Sequence, residues 1–261
     1  MSKKLGLVLG AGGSRGVAHV GLLKALDDAG IKPDYICGSS MGAVVGGCYA
    51  AGLKPSLMAD VLLKLKPKDL MDISVNPIKN SALLRSKKIR KRLSEYLGDK
   101  TFKELDIPFS TVAVDLLTGG TKVFSGEEKV LDGVVASASI PAVFKPVKNQ
   151  NQELVDGGVK FRLPVEQVRD MGAEVVVAVD VLGELRPIKE KKGIISVLLR
   201  MIDIYDSQIT EFRLKEDAPN LLIRPNLGDM SQYKFKDLEK AYEAGYQTGK
   251  FYLDKIKALV E

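Results

Sequence analysis

The segment Tyr35-Ile36-Cys37-Gly38-Ser39-Ser40-Met41-Gly42-Ala43-Val44-Val45-Gly46-Gly47-Cys48-Tyr49-Ala50-Ala51 decides how the rest of the chain is read. Tyr35-Ile36-Cys37 reads as a short apolar strand and Met41 to Ala51 as a helix built of small residues. Between them, Gly38, Ser40 and Gly42 spell G-x-S-x-G, the pattern of a sharp strand-to-helix turn that exposes its serine. Glycines two residues to either side allow a strained backbone and close approach of neighbouring elements. The following helix aims its amide groups and positive dipole end at the serine, where negative charge could develop. Glycine and serine are common, so the pentapeptide alone is moderately specific and other motifs must agree with it.

A second strand-turn-helix unit lies upstream. Leu5 to Gly10 reads as the first strand, and Val17, Val20, Leu22, Leu23 and Leu26 repeat at helical spacing until Gly30 stops the helix. The connection, Gly10-Ala11-Gly12-Gly13-Ser14-Arg15-Gly16, is poor in side chains and leaves backbone N–H groups free to face an anion. In an acyl transferase or hydrolase such a loop can form an oxyanion hole. A third motif, Asp156-Gly157-Gly158, ends the strand Glu153 to Val155. It reads either as a plain β-turn, for which Asp-Gly is well suited, or as an aspartate on a rigid turn that can take a serine proton.

In this order the three motifs resemble the patatin-like phospholipase family. The resemblance implies that Ser40 is the nucleophile, within the elbow glycines Gly38 and Gly42, and that Asp156 is the base. It also implies that the loop amides of Gly12, Gly13, Ser14 and Arg15 form the oxyanion hole. The segment from Ala136 to Pro146 is similar to the Ser/Ala-rich stretch of that family, so the likeness extends over residues 5–181. The activity it implies is hydrolysis of lipid acyl esters, of phospholipase A, lysophospholipase or esterase type, with no cofactor and no metal.

The wider pattern alternates buried strands with amphipathic helices. It predicts an α/β fold, a three-layer α/β/α sandwich with a mainly parallel central sheet. Further strands are expected at Phe109 to Leu116, Thr121 to Phe124, Phe144 to Val147, Glu174 to Val181 and Leu221 to Arg224. Gly119-Gly120 predicts a two-residue hairpin turn, and Lys148 to Gln152 a polar turn. Helices are expected at Pro55 to Leu65, Arg85 to Leu97, Lys129 to Ala138, Pro164 to Met171 and from Phe235 onward, with Pro67, Pro77 and Asn80 in an irregular connection. Residues 186–216 predict a long, core-facing helix. No linker divides the chain, so residues 1–261 are expected to form one domain, with 186–261 as a helical and strand extension of the motif-bearing core.

Lys and Arg number 39 against 33 Asp and Glu, a net charge of +6, and 45% of residues are hydrophobic, a globular profile. The excess is concentrated in Arg85, Lys87, Lys88, Arg90, Lys91 and Arg92. Such a helix is either a solvated face or a patch for anionic lipid head groups; without interleaved aromatics it does not suggest nucleic acid. Tyr35 to Leu53 is uncharged, but its five glycines suit a tight turn and a packed helix better than a membrane span. The two cysteines, Cys37 and Cys48, read as buried thiols in a reducing compartment, and with one histidine they furnish no typical zinc set. The expected setting is cytoplasmic, with peripheral membrane contact.

Two other classes compete. The glycine-rich turn after the first strand also marks dinucleotide-binding folds, including short-chain dehydrogenases with NADP, but G-x-G-x-x-G counted from Gly10 places Arg15 where the third glycine belongs. A lipid-binding module without turnover is the other. Within the hydrolase reading the sole histidine, His19, lies early in the chain, whereas triad hydrolases of α/β type place theirs late. A serine–aspartate dyad is therefore expected, with burial and a direct hydrogen bond making Asp156 a better base than a free aspartate.

Overall fold

The computed structural model describes residues 2–64, 86–185, 187 and 193–261. Its strands are β1 (Leu5–Leu9), β2 (Tyr35–Gly38), β3 (Phe109–Asp115), β4 (Thr121–Phe124), β5 (Val147–Asn149), β6 (Gln152–Asp156), β7 (Val175–Val179) and β8 (Leu221–Ile223). They form one sheet in the order β5-β6-β3-β2-β1-β7-β8, with β4 also paired to β3. The pairs β1–β2, β1–β7, β2–β3 and β7–β8 are parallel, while β4, β5 and β6 run antiparallel to their neighbours. The mixed, mainly parallel sheet is the one expected from the alternating sequence pattern.

The helices are α1 (Val17–Asp28), α2 (Met41–Ala50), α3 (Pro55–Leu62), α4 (Lys87–Leu97), α5 (Val130–Ser137), α6 (Val165–Asp170), α7 (Ile194–Glu216) and α8 (Leu238–Val260). They cover both faces of the sheet, which explains why the central strands read as unbroken apolar runs. In β7, Val175, Val177 and Val179 join Leu7, Leu9 and the α1 residues Leu22 and Leu23 in the larger core. Val176 and Ala178 point the other way, with Val8 and Cys37, onto Leu163, Val165 and Val168. Period-two alternation thus splits the central strands β1, β2 and β7 between two apolar layers.

Four expectations need correction. The strand expected at Phe144 to Val147 begins only at Val147, as β5. Gly119 and Gly120 do not form a two-residue hairpin. Strand β3 stops at Asp115, whose carboxylate accepts from Leu117 N (3.2 Å) and Thr118 Oγ1 (2.8 Å), stabilising a longer loop over residues 116–120. Lys148 to Gln152 is conversely not a long turn. Strands β5 and β6 pair up to Asn149–Gln152, and Gln150 takes the left-handed conformation (φ 52°) that a tight hairpin demands. Helix α7 exists, but only in part as a core-facing element. Leu199 is buried, whereas Ile194, Val197, Leu198, Met201, Ile204 and Tyr205 are exposed. Pro67, Pro77, Asn80 and Arg85 lie outside the described residues, as does part of the segment preceding α7. No helix among the described residues is long and apolar enough to cross a membrane.

Candidate active site

Ser40 sits between the end of β2 and the first turn of α2 with φ 54° and ψ −122°, a backbone conformation that costs a non-glycine residue on the order of 1–3 kcal/mol. Packing holds it there. A Cβ on Gly42 would come within 1.9 Å of the Leu9 carbonyl oxygen, so only glycine lets the first turn of α2 lie against the end of β1. Ser39 N donates to Leu9 O (3.0 Å), and Ser40 N donates to Ser137 Oγ (3.0 Å) at the end of α5. The Ser/Ala-rich segment therefore braces the elbow. Contrary to the expected exposure, Ser40 is only 5% accessible and lines two adjoining cavities.

The side chain of Ser40 meets Asp156. Ser40 Oγ donates to Asp156 Oδ2 at 2.6 Å, and Gly158 N donates to Asp156 Oδ1 at 2.7 Å. Antiparallel pairing of β6 with β3, which places Asp156 opposite Ala113, carries the aspartate to the elbow. Burial raises the Asp156 carboxyl to a pKa of about 6, although the bonds from Ser40 and Gly158 pull the other way.

The glycine-rich loop lines the same small cavity as this pair, through Gly12 and Gly13. Gly13 has φ 50°, and a Cβ there would lie 2.2 Å from Gln232 O. The amides of the other two expected donors are committed within the protein: Ser14 N to Gln232 O (2.9 Å) and Arg15 N to Gly12 O (3.0 Å). Their side chains anchor the loop. The Ser14 hydroxyl shares its one proton between Lys234 O (2.9 Å) and Ser231 O (3.0 Å), and Arg15 Nε donates to Val181 O (2.7 Å).

His19 is fully buried on α1, with Nε2 2.8 Å from the Gly10 carbonyl oxygen. A carbonyl only accepts, so Nε2 carries the proton. Burial lowers its pKa to about 4, which leaves the ring neutral near pH 7. Its Nδ1 has no hydrogen-bond partner among the described residues. His19 thus supports the start of the loop and makes no hydrogen bond to Ser40 or Asp156.

Two features of the site escape sequence reasoning. The first is an apolar cavity of about 290 Å³ that takes in Ser40, with Val45, Met58, Leu93, Phe144 and Leu199 on its walls. It assembles residues from six separate stretches of the sequence, and no local motif announces it. The second is a polar cluster beside the pair: Asp206 shares the small cavity with Asp156, Gln232 and Tyr233. Burial raises Asp206 to about 7 despite Arg162, with the charges of Asp180 and Asp156 adding to the rise. Arg162 itself grips Asp180, donating from Nε to Oδ1 (3.0 Å) and from Nη2 to Oδ1 (2.6 Å) and Oδ2 (2.8 Å), and Arg224 Nε donates to Oδ2 at 3.0 Å. Burial works against the Asp180 charge, but these cations hold its carboxyl below the usual range. An acidic residue immediately after the apolar run Val175–Val179 is the one trace of this cluster in the sequence.

The family model for patatin-like phospholipases matches residues 7–169. An uncharacterized NTE family protein of Mycobacterium tuberculosis is 35% identical over 183 residues, which are 70% of this chain and 50% of that protein. The lysophospholipase nte1 of Emericella nidulans is 27% identical over 285 residues, covering 98% of this chain and 18% of its own length. The chain spans about half the length, or less, of these curated relatives. Among solved structures, VipD from Legionella pneumophila superposes with a TM-score of 0.63 at 14% identity, over 97% of this chain and 67% of that one. The type III effector ExoU gives 0.54 at 13% identity, over 97% and 53%. At such identities these two likenesses concern the fold alone.

Proposed function

We propose that this chain, which belongs to the patatin-like phospholipase family, hydrolyses lipid acyl esters through a Ser40–Asp156 dyad. The observation that carries the reading is the 2.6 Å hydrogen bond from a strained, buried serine to a carboxylate of raised pKa. Ser40 Oγ attacks the ester carbonyl while its proton passes to Asp156 Oδ2. The tetrahedral oxyanion faces the Gly12 and Gly13 amides and the N-terminal end of α2. Asp156 returns the proton to the departing alcohol, leaving an acyl-serine. It then takes a proton from the water that attacks the acyl-serine and passes it to Ser40 Oγ as the acyl–oxygen bond breaks, which releases the fatty acid and restores both Ser40 and the ionised Asp156.

A pKa of about 6 suits both roles. The carboxylate is mostly ionised at pH 7, yet is a stronger base than an aspartate at about 3.9. The apolar cavity beside Ser40 accepts the acyl chain, and the polar cluster around Asp206 and Gln232 faces the leaving-group side. With a lysophospholipase among the relatives, a single-chain phospholipid is the first substrate to try. Residues 1–261 act in this reading as one α/β unit. The cations of α4, namely Lys87, Lys88, Arg90, Lys91 and Arg92, attract anionic membrane, an exposed one contributing about 1 kcal/mol near such a surface; Arg90 and Arg92 are already paired with Asp132 and Glu95 and contribute less. Arg85 would extend this patch but lies outside the described residues.

The reading is tested by fluorophosphonate labelling, with a hydrolysis panel in which chain length and head group vary separately. Labelling that depends on Ser40, with ester turnover, is expected. A wild-type protein that takes no label and hydrolyses no ester would instead favour a binding module without turnover.

A further inference from the structure

Helix α7 is inside out over its first half. Ile194, Leu198, Met201 and Tyr205 recur at spacings of four, three and four residues and form one stripe along the helix. This stripe faces outward: Ile194 is 80% and Tyr205 61% exposed, with Leu198 and Met201 between them also open. Val197 and Ile204 widen it. The charged side chains of the same stretch, Arg200 and Asp203, are turned inward and are only 19% and 15% exposed. A helix against water shows the reverse arrangement, and an exposed apolar stripe of this length marks a contact surface.

Its position identifies the contact. Leu199, next to Leu198, lines the apolar cavity that takes in Ser40, and Arg92 of α4 lines the same cavity. Helices α7 and α4 therefore each give a wall residue to one apolar cavity, with Leu199 turned toward it and the neighbouring stripe left exposed. We infer that the outward face of α7 is a lipid-docking surface, which inserts into the apolar layer of an anionic membrane while α4 meets the head groups. Charge favours this occupant over a second copy of the chain. A second copy carries the same net charge of +6, whereas an anionic lipid surface complements the cations of α4 as well as the apolar stripe. The inference deepens the lipid-hydrolase reading and rests on it for its purpose, so its test reads binding separately from turnover.

The experiment is sedimentation of the full chain with vesicles of ether-linked phospholipids, which offer no ester to cleave, at low and high salt. The double variant Leu198→Gln/Met201→Gln is compared with wild type and with Lys87→Gln/Lys91→Gln. The α7 variant is expected to lose at least tenfold in vesicle affinity, with most of the loss persisting at high salt, where attraction by α4 is screened. Its melting temperature and its hydrolysis of a soluble short-chain ester should stay unchanged. The α4 variant should lose mainly the low-salt component. Unchanged vesicle binding by the α7 variant would overturn the inference. So would a wild-type dimer that becomes monomeric in the α7 variant while vesicle binding persists, since the stripe would then be an interface between copies. Absence of soluble-ester hydrolysis in wild type would count against the hydrolase reading and leave the binding comparison to decide the docking surface.

Discussion

Ser40 Oγ and Asp156 Oδ2 are joined by a 2.6 Å hydrogen bond across 116 residues of sequence. Two rigid turns meet there: the elbow, locked by Gly42 against β1, and the Asp-Gly-Gly turn, locked by the bond from Gly158 to the other carboxylate oxygen. Neither side chain has far to move for the proton to pass.

The first prediction concerns pH. Asp156 acts as a base only when ionised, and burial holds its pKa up to about 6. The kcat/KM for a soluble ester should therefore rise about tenfold per pH unit below that value and level off above it. A limb near pH 4, the ordinary aspartate range, would show that burial does not tune this carboxyl.

Replacing Ser40 with Ala removes the nucleophile and little volume. Hydrolysis and fluorophosphonate labelling should be lost while the melting temperature is kept, and Ser39→Ala should retain most activity. Labelling that persists in the Ser40 variant would place the nucleophile elsewhere.

Gly13→Ala tests the loop. Its φ of 50° and the Gln232 carbonyl 2.2 Å from a Cβ mean that alanine displaces the backbone on which the Gly12 and Gly13 amides lie. Turnover should fall by about 10² to 10³, the usual effect of losing one oxyanion donor, with a smaller change in KM. A variant with wild-type kcat would remove this loop from the oxyanion hole.

Asp206 should show in stability. Its folded pKa of about 7 lies above the unfolded value, so its stabilising contribution is complete below about pH 4 and is lost as pH rises through 7. Asp206→Asn removes that dependence while Arg162 keeps its grip on Asp180. The melting temperature of the variant relative to wild type should climb between pH 5 and 8. Parallel pH curves for the two proteins would contradict the raised pKa.

What the sequence disclosed depended on where backbone geometry forces residue choice. The elbow and the loop were legible because Gly42 and Gly13 occupy positions that tolerate no side chain, and a chain cannot hide such requirements. Asp156 was legible through its turn. Asp206, Tyr233 and the Arg162–Asp180 pair were not, because tertiary packing brings them together from segments that carry no local pattern. The mixture of charged and apolar residues over 186–216 pointed to a long, core-facing helix, but composition does not say which side meets the core, and the structure turns the stripe from Ile194 to Tyr205 outward. At Gly119-Gly120 the turn rule failed because the Asp115 side chain supplies loop hydrogen bonds that composition does not reveal.

The central claim is that the proton of Ser40 goes to an aspartate with no histidine in its path, and a comparison of Asp156→Asn with His19→Gln tests it most directly. Soluble-ester kcat/KM is measured for both variants, with circular dichroism melts to confirm folding. His19 is neutral, buried and bonded to Gly10, so a folded His19→Gln should keep most activity, whereas Asp156→Asn should lose at least 10³-fold. A well-folded but inactive His19→Gln beside a nearly unaffected Asp156→Asn would contradict the dyad and make His19 the base.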